Sequence, residues 1–263
     1  MKNQNNSKKE KPVNTERPRP VSNGVDEPLT FPVRLNRYLA HKGFATRRGA
    51  DELITKGLVK INGKVAVLGD KVENVDDKVE VSTKVIAKME GSYRYLAYYK
   101  PRGISTDVQV EGESIKSSLP ALRGLFPLGR LDKDSEGLVI LTNDGRLTDR
   151  VLSPDRVHEK EYLVKVDKKI TDTFVRHLER GILIETYKTK PAKARRAGET
   201  LFRIVLTEGK KHQIRRMCAA EGYQVLELKR LRIMNIKLGD LKDGAYRDIV
   251  GDELADLKKS IGL

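Results

Sequence analysis

The sequence is poor in the residues that build disulfides, metal sites and membrane spans. It has one cysteine, Cys218, which excludes an intrachain disulfide and a multi-cysteine zinc site. The four histidines are scattered along the chain without the spacing of metal ligands. No apolar stretch is long enough to cross a membrane, and the amino-terminal residues lack the apolar centre of a signal peptide. We therefore expect a cytoplasmic protein.

Nucleotide-binding fingerprints are also missing. The chain contains neither a GxGxxG motif nor a Walker loop, which argues against nucleotide-driven chemistry. Aromatic residues make up only 5% of the chain, whereas charged residues make up 34%. This composition is typical of a globular protein with a modest core and a heavily charged surface.

Basic residues are present in large excess. The chain of 263 residues carries a formal net charge of +15, and its pI is about 9.7. Such an excess indicates a polyanionic partner, because lysine and arginine gain free energy by releasing counterions from phosphates. The alternative interpretation is that the charge serves only solubility.

Composition divides the chain into three segments. Residues 1–30 are polar, basic and rich in Pro, Asn and Ser, which predicts a disordered tail, either a passive solubilising one or an arm that touches RNA. Residues 31–90 are predicted to form a small module, with residues 83–92 as a linker. Residues 91–263 form the larger unit, so the length suits one large domain plus a small one.

The small module is predicted to contain two helices followed by a β-hairpin. The stretch "VRLNRYLAHKGF" has Leu35 and Leu39 at helical spacing, and "TRRGADELITKG" is a second helix with Thr46 as its N-cap. Asn62 and Gly63 separate two β-prone runs, which is the strongest short hairpin signal. The basic side chains of this module that can contact a polyanion are Arg34, Arg37, Arg47, Arg48 and Lys60.

This stretch resembles the S4 RNA-binding domain. The residues that carry the resemblance are "RLNRYLA" and "TRRGADELITKGLVKINGKV". The resemblance implies a small α/β domain whose two helices present basic side chains to structured RNA. The alternative is a generic helical mini-domain with a solvated basic face.

The larger unit is predicted to be mixed α+β. Its strand-like runs include "YRYLAYY", "GLVILTN", "EYLVKV", "LFRIVLT" and "YQVLELKRLRIMNI". Fewer helices intervene: "TDTFVRHLERG", ended by Gly181, and "KHQIRRMCAAEG", ended by Gly222, while "DELADLKKSIGL" is a last short helix or a frayed tail. This order does not show a regular βαβ alternation.

An acidic cluster stands out in "GRLDKDSEGLVILTNDG". Asp132, Asp134 and Glu136 occupy alternate positions, as at the start of a calcium loop. Such a loop needs a bidentate Glu at its twelfth position, where this chain has Asn143. The sequence therefore argues against calcium and leaves magnesium less firmly excluded.

The other interpretation of the cluster is a carboxylate that acts on RNA. Such a group needs a cation beside it, which keeps it ionised and holds it in position. In "EGKKHQIRRM", Ile214, Met217 and Cys218 form the apolar stripe of a helix, so Arg215 can face a cleft. From the residues alone, a phosphate-binding or surface-paired arginine is the stronger interpretation.

Three motifs together resemble the pseudouridine synthases of the RsuA/RluB/RluE/RluF branch. They are "GRLDKDSEGLVILTNDG", "HEKEYLVKV" and "EGKKHQIRRM", which occur in the family's order downstream of the S4-like module. The resemblance implies a mixed, mainly antiparallel sheet with flanking helices. One departure is Lys211-His212, where the branch has Asn-Arg and where His212 is similar to the sister RluA-type branch.

The resemblance also implies roles for individual residues. Asp132 is the catalytic carboxylate in the isomerisation of uridine to pseudouridine, and Arg215 is its ion-pair partner. Tyr162 packs on a uridine that has flipped out of the RNA stack. Asp134 and Glu136 are turn residues that satisfy the loop backbone. Further candidates for RNA contact are Arg130, Lys160 and His212.

The resemblance implies neither a cofactor nor a metal, since the reaction is neither redox nor hydrolytic. The expected partner is ribosomal RNA, with 23S favoured and 16S or tRNA left open, and the expected oligomeric state is a monomer. The alternative function is that of a non-catalytic RNA-binding or ribosome-assembly protein.

Deleting residues 33–82 should weaken RNA binding and make it less sensitive to salt. The deletion removes five candidate phosphate contacts, so the slope of log K against log salt should fall by up to about 4. Filter binding of a structured RNA at several salt concentrations measures that slope. A full-length variant with the five basic residues changed to Gln is the matched control, since it removes the charges but keeps the module. Its slope should fall by the same amount. An unchanged slope would contradict RNA binding by this module.

Overall fold

The computed structural model describes residues 29–42, 44–45, 47–82, 93–106, 114–115, 124–152 and 157–263. Residues 1–28 of the predicted tail, the linker predicted at 83–92, Gly43 and the predicted cap Thr46 lie outside these ranges.

The amino-terminal segment combines two short helices with short strands. Its elements are β1 (Val33–Arg34), α1 (Leu35–His41), α2 (Arg47–Thr55), β2 (Val59–Ile61), β3 (Lys64–Val65), β4 (Lys71–Val72) and β5 (Val79–Val81). Strand β1 pairs with β4, and β2 lies between β3 and β5, in antiparallel register throughout.

The apolar residues at helical spacing form the core of this segment. Leu35 and Leu39 on α1 are buried together with Leu53 and Ile54 on α2. The turn between β2 and β3 has positive φ at Asn62 (51°) and at Gly63, the conformation that an Asn-Gly hairpin turn adopts. The predicted helix–helix–hairpin order is therefore confirmed.

The basic residues of this segment lie outside its core. Arg34 lies just before α1 rather than on it, and Arg37 is partly exposed. Arg47, Arg48 and Lys60 are exposed. None of the five forms an ion pair with another described residue.

The larger segment is built on one extended sheet. Its elements are β6 (Tyr95–Lys100), β7 (Phe126–Leu128), β8 (Glu136–Thr142), α3 (Arg146–Leu152), β9 (Lys160–Val166), α4 (Asp172–Arg180), β10 (Leu183–Ile184), β11 (Tyr187–Lys188), β12 (Lys193–Arg196), β13 (Leu201–Leu206), α5 (Gln213–Ala220), β14 (Val225–Ile233), β15 (Ile236–Lys237), β16 (Tyr246–Asp248) and α6 (Gly251–Ser260).

The sheet is mixed and mainly antiparallel, as predicted. Its strand order is β12-β13-β9-β14-β8-β6-β16, with β15 beside β14 and β7 beside β8. The pairing of β14 with β8 is parallel, whereas the other pairings described in this sheet are antiparallel. The α+β class predicted from the sequence is confirmed.

Alternating side chains of the central strands bury two cores, one on each face of the sheet. One core packs β9 and β13 against α4 and α5, through residues such as Phe174 and Met217. The other packs β6 and β8 against α3 and α6, through residues such as Leu147 and Leu257. No described helix is long and apolar enough to cross a membrane.

One row of residues across the sheet brings chemically active side chains together. Cross-strand register aligns Lys100 with Gly137, Gly137 with Arg230, and Arg230 with Tyr162. Gly137 has a φ of 106°, and a Cβ built on it would lie 2.4 Å from the carbonyl oxygen of Arg230. Only glycine lets β8 and β14 approach this closely at the start of β8.

Gly137→Ala should destabilise the larger segment by roughly 2 kcal/mol or more, because the added methyl group meets backbone and φ is strained. Urea unfolding measures the free energy directly. Gly209→Ala is the matched control, since a Cβ there meets nothing within 4 Å. Equal stability of the two variants would contradict the close approach of β8 and β14.

Candidate active site

The acidic cluster lies on a loop between β7 and β8, which we call the acidic loop (residues 129–135). Within it the amide of Ser135 donates to the carbonyl of Asp132 at 3.0 Å, which closes a tight turn. The Asp132 side chain is 38% exposed and so can meet a substrate.

Buried side chains hold the backbone of this loop. Lys100 is fully buried, and its ammonium donates to the carbonyls of Pro101 and Ile104 at 2.7 Å and of Lys133 at 3.4 Å. Burial, with a smaller effect of the nearby Arg230 charge, lowers the pKa of Lys100 to about 8. Thr106 adds two hydrogen bonds, donating to the carbonyl and accepting from the amide of Leu131.

Arg230 holds the loop from the sheet. It is only 3% exposed, and its Nε donates to the carbonyl of Leu138 at 2.7 Å. Its Nη1 donates to the carbonyl of Arg130 at 3.3 Å, two residues before Asp132. Its Nη2 is buried and has no hydrogen-bond partner among the described residues. The arginine thus ties the acidic loop to β8 with one donor left over.

Arg215 lies beside the acidic loop but does not form the predicted ion pair with Asp132. Its guanidinium donates to the carbonyls of Asp134 at 3.1 Å and Val225 at 3.2 Å, and to Ser135 Oγ at 3.4 Å. The prediction that α5 turns Arg215 away from its apolar stripe is correct, since Ile214, Met217 and Cys218 are buried. The arginine therefore fixes the backbone of the loop rather than its carboxylate.

His212 is the basic side chain that stands next to Asp132. Its Nε2 lies 3.5 Å from Asp132 Oδ1, and no other ion pair of Asp132 occurs within the described ranges. His212 is the N-cap of α5 and has a φ of 52°, a conformation uncommon for a residue other than glycine. Gln213, buried, braces this corner by accepting from the amide of Lys210 at 2.9 Å and donating to Glu208 at 2.6 Å.

Tyr162 and Lys160 lie on β9, which pairs with β14 so that Tyr162 is aligned with Arg230. The Tyr162 residue is 9% exposed, and no described group hydrogen-bonds its hydroxyl. Lys160 has one long hydrogen bond, 3.4 Å to the carbonyl of His158. Arg130 is exposed on the acidic loop. Asp132, Arg130, His212 and Arg215 therefore meet at the acidic loop. Tyr162 and Lys160 lie on β9, which pairs with β14, and Arg230 of β14 donates to that loop. By contrast, Arg34, Arg37, Arg47, Arg48 and Lys60 belong to the amino-terminal segment.

The other two acids do not act as predicted. Glu136 is the first residue of β8, and its carboxylate pairs with Lys229 at 2.9 Å and accepts from the Tyr99 hydroxyl at 3.1 Å. It therefore does not satisfy the loop backbone. Asp134 is exposed and contributes its main-chain carbonyl to Arg215. No group of three His, Cys, Asp or Glu side chains suited to a metal ion occurs in the part of the chain described.

Sequence reasoning missed Lys100, Thr106 and Arg230. The one available signal for Lys100 was a lysine at the end of an apolar strand, in "YLAYYKP". Arg230 occupies an inward position of β14, where an apolar residue is expected. Its burial follows from contacts with residues about a hundred positions away, which no local pattern reveals.

Comparisons with known proteins agree with these motifs. A family model described as RNA pseudouridylate synthase matches residues 94–220, and an S4 domain model matches residues 33–79. The dual-specificity RNA pseudouridine synthase RluF of Salmonella typhi is 45% identical over 87% of this chain and 79% of its own length. The ribosomal large subunit pseudouridine synthase B of Bacillus subtilis is 36% identical over 86% of this chain and 95% of its own.

A solved structure gives the same result at the level of the fold. A crystal structure of a pseudouridylate synthase aligns with a TM-score of 0.63 and 29% sequence identity, over 87% of this chain and 99% of the other. The resemblance drawn from the sequence motifs is thus confirmed.

The buried Lys100 should make stability rise with pH. Its amine titrates near pH 8 in the folded chain instead of at the ordinary 10.5, so between these values the unfolded chain binds more protons. The free energy of unfolding of the wild type should therefore rise through this window, relative to Lys100→Met, by up to about 3 kcal/mol.

Urea unfolding of both proteins between pH 7.5 and 10.5 measures this difference, within which the titrations of other groups cancel. Lys237→Met, a change at an exposed lysine, is the control and should follow the wild type. Parallel profiles for the wild type and Lys100→Met would show that burial does not penalise the Lys100 ammonium.

Proposed function

The chain belongs to the RNA pseudouridylate synthase family, and we propose that it isomerises specific uridines of ribosomal RNA to pseudouridine with Asp132 as the catalytic carboxylate. The observation that carries the proposal is the acidic loop, which presents the half-exposed Asp132 while buried donors hold the backbone around it. A fixed carboxylate can meet the ribose anomeric carbon without reorganising first.

The reaction exchanges one bond of the base for another. The N1–C1′ bond breaks, C1′ bonds to C5, the C5 proton leaves and N1 takes up a proton. Asp132 serves either by trapping the electron-deficient C1′ or by removing a ribose proton. His212, beside the carboxylate, and Arg215, on the loop backbone, keep Asp132 in place during these steps.

Tyr162 is proposed to receive the flipped base. A uridine stacked in RNA cannot reach Asp132, and flipping it out costs about a few kcal/mol. Stacking on an aromatic ring returns about 1–3 kcal/mol of that. Tyr162 supports this role because it is aligned with Arg230 across the sheet and its hydroxyl is not engaged by any described group.

Ribosomal RNA is the proposed substrate because one relative is named for the large ribosomal subunit. The relative from Salmonella typhi is named for dual specificity, so more than one RNA belongs in the test. We rank 23S RNA first and include 16S RNA and tRNA, which the sequence left open. Such an enzyme works where ribosomes are assembled, and we place it in the cytoplasm as a monomer.

RNA binding and chemistry are assigned to the two segments that the sequence analysis distinguished. We propose that residues 31–90 bind structured RNA through Arg34, Arg37, Arg47, Arg48 and Lys60, and that residues 91–263 perform the chemistry, aided by Arg130. The separate buried clusters of these two stretches support that division.

Asp132→Asn should abolish pseudouridine formation and leave RNA binding nearly intact, because the amide keeps the shape of the side chain but lacks its charge. Pseudouridine mapping of total RNA from cells with the wild type, without the protein and with the variant identifies the target and scores conversion. RNA affinity is measured in parallel by filter binding.

Asp134→Asn is the matched control, since it removes an exposed acid two residues away in the same loop. It should convert its target like the wild type. Conversion by Asp132→Asn would refute the role of Asp132. If cells with the wild type show no pseudouridine that is absent from cells without the protein, a non-catalytic RNA-binding protein would be favoured instead.

A further inference from the structure

Three cations lie on the active-site face of the sheet without a carboxylate partner. Lys100 and Arg230 belong to the same row as Tyr162, with 0% and 3% exposure. Lys160 lies two residues before Tyr162 on β9. None of the three forms an ion pair with a described residue. Other basic residues of this sheet, such as Arg203 and Arg232, are paired with glutamates.

These charges are kept at a cost. Burying an unpaired cation is unfavourable, and an ordinary fold pairs it or replaces it with an apolar residue. Burial, together with the charge on Arg230, lowers the pKa of the Lys160 amine. Lys100 and Arg230 each donate to a carbonyl of the acidic loop, so their structural use is evident. Lys160 has a single long hydrogen bond and no such use.

The proposed chemistry creates a negative charge close to this position. When N1–C1′ breaks, the electron pair stays on the ring, so uracil becomes an anion until C5 bonds to C1′. Asp132 cannot stabilise that anion, because the carboxylate itself is negative. Fixed positive charge in a site shielded from water is well suited to lower the energy of such a step.

We propose that Lys160, with Arg230 behind it, stabilises the uracil anion that forms on Tyr162 during the isomerisation. This assignment rests on the proposed function. It gives Lys160 a role in the chemical step rather than in RNA affinity. It also explains why an amine with so few partners lies on the same strand as the tyrosine that receives the base, two residues before it.

The competing role for Lys160 is an ordinary phosphate contact, and the two roles predict different losses. A charge that acts on the transition state lowers kcat and leaves affinity unchanged. A phosphate contact weakens binding and lowers the salt slope by about 1 when removed.

The test uses the full-length protein with Lys160→Met, which keeps the length of the side chain and removes its charge. We expect kcat on the mapped target RNA to fall roughly 10- to 100-fold. The dissociation constant and its salt slope should equal those of the wild type. The Tm should rise, because a partly buried charge without an ion-pair partner among the described residues is gone. Lys160→Arg should restore most of the wild-type kcat.

Lys165→Met is the matched control, because Lys165 lies on the same strand but is exposed and paired with Glu227 at 2.9 Å. It should leave kcat unchanged. If Lys160→Met does not fold, Lys160→Gln replaces it in the comparison with Lys160→Arg.

Weaker binding with a lower salt slope and an unchanged kcat would overturn the proposal in favour of a phosphate contact. So would a kcat equal to that of the wild type, or a loss that Lys160→Arg does not restore. Failure of the proposed function is distinct from these results, because the wild type itself would then convert no uridine.

Discussion

The site depends on hydrogen bonds from three cationic side chains, two of them buried, to the main chain of the acidic loop. Lys100, Arg215 and Arg230 each donate to a carbonyl of that loop, at Lys133, Asp134 and Arg130 respectively. Hydrogen bonds from charged donors are stronger than neutral ones, and they are strengthened further where water is excluded. The loop therefore keeps one backbone shape, and Asp132 at its centre keeps one position while its side chain stays accessible.

The same contacts explain why two buried cations and a glycine with positive φ occur in one row across the sheet. Lys100, Gly137, Arg230 and Tyr162 are cross-strand neighbours. The missing side chain at Gly137 lets the backbone of β14 approach β8, and Arg230 can then reach the carbonyl of Leu138. A parallel contact between β8 and β14 thereby connects the motif that holds Asp132 with a strand that comes almost a hundred residues later.

Electrostatics give the site its chemical character. The partly exposed carboxylate of Asp132 stands among basic side chains, whereas Asp134 is exposed and Glu136 pairs with Lys229 and accepts from the Tyr99 hydroxyl. This arrangement suits a reaction in which positive charge develops at a sugar carbon and negative charge on a base. It also differs from the simple Asp132–Arg215 pair that the motifs suggested, because His212 takes the place beside the carboxylate.

The sequence by itself determined the larger features. Periodic apolar residues predicted α1, α2, α4 and α5, and Asn62-Gly63 predicted the hairpin, because local sterics and spacing decide these elements. The motifs predicted the family and nominated Asp132, Tyr162 and Arg215. Only the tertiary structure decided which groups touch. The partners of Arg215, the burial of Lys100 and Arg230, and the pairing of Glu136 depend on strands distant in the sequence, and desolvation at such contacts has no local signature.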